Sequence, residues 1–127
     1  MKTGKILKED KAFPSDSELK TAEFLASRGH NILFIAPSRH RNTKTPDIEM
    51  NKKRWEIKRP KGKGKYNLQH AFKAALKQSP NIIIDLRSLG MNESNNIRKL
   101  TKLFNDSANA KSMLIITKSL KLLEYKK

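Results

Sequence analysis

Apolar residues along this chain follow two patterns, and the two alternate. The first is helical. Glu18, Ala22 and Leu25 fall at i, i+4 and i+7, and Leu19 and Ala26 widen that face. Ser15, Asp16 or Ser17 is placed to cap this helix, and Arg28-Gly29 to close it with glycine in the left-handed position. Leu68, Ala71, Phe72, Ala75 and Leu76 repeat the spacing and predict a helix over Asn67 to Gln78, broken by Ser79-Pro80. Ile97, Leu100, Thr101 and Phe104 do so again, in a helix starting at Glu93 or Ser94. The second pattern is the short apolar block. Ile32 to Ile35, Ile82 to Ile84 and Met113 to Ile116 read as buried strands, the second of them as a central strand covered on both faces.

Between these lie two polar–apolar alternations. Pro46 to Met50 sets Asp47 and Glu49 against Ile48 and Met50. Arg54 to Lys58 sets Trp55 and Ile57 on one face and Glu56 and Lys58 on the other. A turn at Asn51-Lys52-Lys53 makes the two a hairpin. Lys121 to Tyr125 is a last strand, reached by a tight turn at Lys118 to Leu120. Met1 to Pro14 shows no periodicity and is expected to be a flexible basic arm, residues 1–14, before a domain over residues 15–127. The elements predict one α/β domain with a mixed central sheet flanked by helices. The strand–helix–strand order after the hairpin argues for a right-handed crossover.

Charge changes the picture from fold to partner. The 127 residues carry 28 Lys and Arg against 12 Asp and Glu, a net charge of +16. Residues 38–65 alone hold 11 basic and 3 acidic side chains, a net +8. Such a surface suits a polyanion. Arg39, Arg41, Lys44, Arg59, Lys61, Lys63 and Lys65 in that stretch are the expected nucleic-acid contacts, with Lys73 on the second helix. The chain has no cysteine, so it has neither disulfides nor a thiolate zinc site. No secretory leader is visible, and no apolar run approaches the ~20 residues of a membrane span.

Candidate chemistry centres on the hairpin. Folding Pro46 to Met50 back on Arg54 to Lys58 brings Asp47 beside Glu56 and Lys58. Two carboxylates and an ammonium then share one end of a central pair of strands. Unpaired buried charge is costly, so a divalent metal or a phosphate is the natural complement. Hard oxygen donors suit Mg²⁺ or Mn²⁺. Asp47 and Glu56 are the candidate ligands, and Lys58 the candidate for orienting or deprotonating water or stabilising a pentavalent phosphate. Glu18, near the first helix's N-terminus, would support the ligand shell; dipole complementation explains it equally well. His30, His40 and His70 lack metal-ligand spacing, although His40 sits in the basic loop before Asp47.

Asp47 followed by Glu56-x-Lys58 and preceded by a helical glutamate resembles the PD-(D/E)XK nuclease superfamily, with its restriction-endonuclease-like fold. The sequence resembles more closely the C-terminal tRNA nuclease domain of contact-dependent growth-inhibition (CdiA-type) toxins. Glu18 to His30, Lys44 to Ile48, Trp55 to Lys58 with Pro60 to Gly62, Lys77 to Asp85 and Leu114 to Lys118 carry that likeness. The resemblance implies a metal-dependent ribonuclease cutting tRNA in the cytoplasm after delivery within a larger secreted toxin. It implies an active set of Glu18, Asp47, Glu56 and Lys58, and neutralisation by an immunity protein, acidic against this basic surface. Arg59 departs from the pattern, where a small residue such as serine is expected. A DNA endonuclease of the same fold and a non-catalytic nucleic-acid-binding module are the alternatives.

Overall fold

The computed structural model describes residues 3–37, 46–62, 66–90 and 92–127. Within these residues seven strands, β1 (Ile6–Lys8), β2 (Ile32–Phe34), β3 (Ile48–Met50), β4 (Lys53–Lys58), β5 (Asn81–Asp85), β6 (Ser112–Ile116) and β7 (Leu122–Lys126), form one sheet in sequence order. Among the described residues three helices, α1 (Asp16–Ser27), α2 (Asn67–Gln78) and α3 (Glu93–Asp106), join and cover it. Pairing is mixed. β1–β2, β4–β5 and β5–β6 are parallel, while β2–β3, β3–β4 and β6–β7 are antiparallel. The hairpin strand β4 is therefore fourth of seven, the middle of the sheet.

Strand alternation divides the core in two. Phe24 and Leu25 of α1 pack with Ile48, Met50, Trp55, Ile57, Ile83, Leu114 and Ile116. Leu68, Phe72 and Ala75 of α2 and Leu100 and Phe104 of α3 pack with Ile82, Ile84, Met113 and Ile115. Neighbouring residues of β5 and β6 thus serve opposite faces, which is why both strands read as continuous apolar runs. One helix covers the first face and two cover the second.

Local chemistry sets the element ends. Ser15 caps α1 in a reciprocal box: its hydroxyl accepts from the Glu18 amide at 3.1 Å, and the Glu18 carboxylate accepts from the Ser15 amide at 2.9 Å. Gly29, at φ 93°, ends that helix in the left-handed region. Asn51 and Lys52, at φ 54° and 66°, make the two-residue left-handed turn between β3 and β4. Asn92 caps α3 by accepting from the Asn95 amide.

The N-terminal segment differs from the flexible arm expected over residues 1–14. Ile6 to Lys8 form β1, in parallel register with Ile32 to Phe34. The Gly4 amide donates to the Ala26 carbonyl at 2.7 Å. A Cβ on Gly4 would lie 1.7 Å from the His30 carbonyl oxygen, so only glycine allows this approach. Ala12 is buried in the α1-side core. The arm was hard to read because β1 is three residues long and lies at a sheet edge, too short to show alternation.

Candidate functional site

The site forms where β3 and β4 part. Their ladder ends at the Ile48–Trp55 pair. Beyond it β4 continues to Lys58, and among the described residues no further β3–β4 pair follows. Asp47 fills the gap: its Oδ2 accepts from the Ile57 amide at 2.9 Å, while its carbonyl accepts from the Ile35 amide of the β2 side at 3.0 Å. A side chain thus continues the ladder, and the separation opens a cavity. That cavity, of about 370 Å³, is lined by Ser15, Ser17, Glu18, Asp47, Glu56, Ile57, Lys58 and Arg59. All four residues expected to carry chemistry, from α1, the start of β3 and the end of β4, therefore meet in one cleft.

Its electrostatics are those of a site short of positive charge. Burial pushes the Asp47 carboxyl up to about 8; the Ile57 amide opposes this, and the carboxyls of Glu56 and Glu18 beside it add to it. Burial also raises Glu56, against the pull of the Lys58 ammonium. Lys58 Nζ lies 3.6 Å from Glu56 Oε2. Glu56 is buried, and its other oxygen, Oε1, is enclosed without a hydrogen-bond partner. An orphaned, buried carboxylate oxygen beside a second carboxyl that accepts from the Ile57 amide is a donor set that fits a hard divalent cation. Among the described residues no group of three His, Cys, Asp or Glu side chains is arranged around a single point. The fit is thus to a two-carboxylate site: Asp47 and Glu56 would hold the ion, and other oxygen ligands would have to complete its shell.

Arg59 lines the cleft but does not reach freely into solvent. Its side chain is 14% exposed, its Nε is buried without a hydrogen bond, and it lies 3.9 Å from Asp85 Oδ2. Asp85 was missed by sequence reasoning. It ends β5 fully buried, accepts from the Thr21 hydroxyl of α1 at 2.7 Å, and binds the Arg87 guanidinium at 2.8 Å and 3.0 Å. Burial works to raise its carboxyl, but the Arg87 and Thr21 hydrogen bonds outweigh it and hold the group below the ordinary range. The only signal in the sequence was an acid closing an apolar run, with Arg87 two residues on.

The other basic residues divide. Lys61 is exposed two residues past the cleft-lining Arg59, and its carbonyl accepts from the Asn67 side chain at 2.6 Å. Lys73 is exposed on α2 but does not line the cleft. Arg39, Arg41, Lys44, Lys63 and Lys65, and His40 with them, lie outside the described residues. Of the remaining histidines, His70 stands near the exposed Tyr66 ring and His30 near Asn51; neither lines the cleft.

Fold and cleft define a single mixed α/β domain, a seven-stranded sheet between three helices, with an acid–lysine site at its middle strand. The family model for the contact-dependent growth inhibition CdiA C-terminal domain matches residues 44–122, which include the whole hairpin and both later helices, and the chain belongs to that family. A CdiA-CT/CdiI toxin and immunity complex from Burkholderia pseudomallei contains a chain of similar fold, at TM-score 0.68 and 14% identity, covering 96% of this chain and 99% of that one. No curated protein matches the sequence. Among the described residues no helix is long and apolar enough to cross a membrane.

Proposed function

We propose that this domain is a metal-dependent endoribonuclease of PD-(D/E)XK type, acting on tRNA as the toxic part of a larger delivered protein. The observation that carries the reading is the convergence of Glu18, Asp47, Glu56 and Lys58 on one cleft, with a buried Glu56 oxygen left unpartnered. A divalent ion held by Asp47 and Glu56 would supply charge neutralisation at the phosphate and an activated nucleophile.

The chain's own side chains do the rest. The Lys58 ammonium faces the cleft from the end of β4, where it can donate to a non-bridging phosphate oxygen and stabilise the charge that grows there. Glu18, fixed by the capping box, sets the acidic wall opposite. Arg59 and Lys61 hold flanking phosphates. In the reaction, a water oxygen bonds to phosphorus, the ester bond to the leaving ribose oxygen breaks, and the water proton passes to solvent or to that oxygen. As the toxin in the Burkholderia complex is paired with an immunity protein, this domain pairs with one of its own, acidic against the +16 chain.

The test is incubation of the purified chain with total tRNA and with plasmid DNA, in Mg²⁺ or Mn²⁺ and in chelator. We expect tRNA to be cut only with metal, and Glu56→Ala and Lys58→Ala each to slow cutting by about 10²-fold or more. Intact tRNA beside cut DNA would overturn the RNA assignment. Cutting in chelator that leaves cyclic phosphate ends would overturn the metal. Full activity in both variants would overturn the site.

A further inference from the structure

A second cavity adjoins the cleft and has a different character. It is about 200 Å³ and shares Glu18 and Asp47 with the first as a common wall. Its other walls include Phe13, Pro14, Ile35 and Pro37. The first cavity continues past these carboxylates to Lys58 and Arg59, while the second leads away over apolar rings. Phe13 stands out on it. The residue is 84% exposed, the most exposed of the large apolar side chains among the described residues. It is held at the rim by its neighbours: Ala12 is buried, and the Ala12 amide donates to the Glu9 carbonyl at 3.0 Å. The Lys8 ammonium lies 5.6 Å from the Phe13 ring centroid and reaches the Ala12 carbonyl at 3.4 Å.

An exposed ring with an ammonium beside it, one carboxylate wall away from a phosphate-binding cleft, matches the two halves of a nucleotide. Bases stack on aromatic faces whatever their identity, and phosphates seek lysine. We propose that the Phe13 cavity is a base-binding subsite. It takes the nucleobase next to the phosphodiester presented to Asp47, Glu56 and Lys58, stacked on Phe13, with Lys8 meeting a neighbouring phosphate. This rests on the nuclease reading for the identity of its neighbour, but binding alone tests it. A base can enter only where it is not held in a duplex, so the subsite selects single-stranded or flipped-out nucleotides.

The experiment uses the Glu56→Gln chain, to suppress cleavage, and two single-stranded probes. One is a mixed-sequence oligoribonucleotide with 2-aminopurine; the other is an abasic sugar-phosphate oligomer of equal charge. Phe13→Ala is expected to weaken binding of the first by on the order of tenfold and to abolish its 2-aminopurine quenching. It should leave the abasic oligomer's affinity unchanged, and Phe13→Trp should restore both readouts. Because Phe13 is exposed, the variants are expected to melt with the parent. Equal affinity of Phe13→Ala for the base-bearing probe overturns the subsite, and so does an equal loss on both probes. A wild-type chain that cuts neither RNA nor DNA yet shows the base-dependent Phe13 effect sinks the nuclease reading and leaves the subsite standing. A cutting chain without that effect does the reverse, and a chain that binds neither probe removes both.

Discussion

Glu18 serves the fold and the cleft at once, and two substitutions separate the duties. Its carboxylate closes the capping box on the Ser15 amide while lying beside Asp47 in the wall of the cavity. Glu18→Gln keeps an oxygen for the Ser15 amide and removes the charge; Glu18→Ala removes both. We expect the glutamine variant to unfold within ~0.5 kcal/mol of the wild type and the alanine variant to lose about 0.5–2 kcal/mol. Both should slow tRNA cleavage by on the order of tenfold or more. Denaturant titration beside a cleavage assay checks this, and a glutamine variant with wild-type rate would confine Glu18 to the cap. Asp47 carries a pH signature. Its carboxyl, raised by burial to about 8 from an ordinary 3.8, stays protonated in the folded chain over a range where the unfolded chain has lost the proton. The folded state then binds more protons, so the group's contribution to stability is full below about pH 4 and is lost as pH rises towards 8. In chelator, wild-type thermal stability should therefore fall more steeply over this window than that of Asp47→Asn. Added Mn²⁺, which binds the ionised form, should offset the loss. Parallel melting profiles for the two proteins, without metal, would refute the raised carboxyl.

Among the elements, the position of α1 decides whether the cleft exists, because α1 brings Glu18 to strands that already carry Asp47, Glu56 and Lys58. The clasp at the end of β5 holds it there. Thr21, on the turn after Glu18, donates to Asp85, and Arg87 joins Asp85 to the Lys20 carbonyl and lies with its guanidinium carbon 5.1 Å from the centre of the Phe24 ring. Removing the carboxylate strands a largely enclosed guanidinium. Asp85→Ala is thus expected to cost about 3–5 kcal/mol, and Thr21→Val, which takes away a single neutral donor, about 1–2 kcal/mol. Chemical denaturation measures both, and a loss below 1 kcal/mol for Asp85→Ala would show α1 to be held by apolar packing alone. What the sequence made legible follows from the range of the signals. The periods of α1, α2 and α3 and the apolar blocks of β2, β5 and β6 are local, and the structure has each within a residue or two of its expected bounds. The hairpin and its face assignment were legible because Trp55 and Ile57 alternate with Glu56 and Lys58. β1 was not: its partner Ile32 is 26 positions away, and its register depends on Gly4 fitting against His30. Asp85 was not either, since its meaning lies in Thr21, 64 positions earlier.

For the whole molecule, charge and topology act together. The sheet puts the acid–lysine cleft at the middle strand, where burial strengthens the interactions between its charges, while the lysines outside it leave the chain at +16. A polyanion drawn to that surface would release its condensed cations, and each neutralised phosphate contributes to the salt dependence of binding. For a site of roughly six contacts, affinity for tRNA should fall about 10³-fold between about 50 and 200 mM salt, linearly in log–log form. Binding of the Glu56→Gln chain, followed by fluorescence anisotropy, gives the slope directly. Lys61→Ala, which removes one exposed cation two residues past the cleft-lining Arg59, should lower that slope by about one and leave Phe13-dependent quenching intact. Lys73→Ala tests how far the basic surface extends, because Lys73 stands on α2 away from the cleft. An unchanged slope there would place the nucleic acid along the cleft and the Phe13 cavity. A drop equal to that of Lys61→Ala would extend its path across the α2 face. A slope near zero in the parent chain would mean that the net charge serves solubility and that the partner is bound by shape and apolar contact instead.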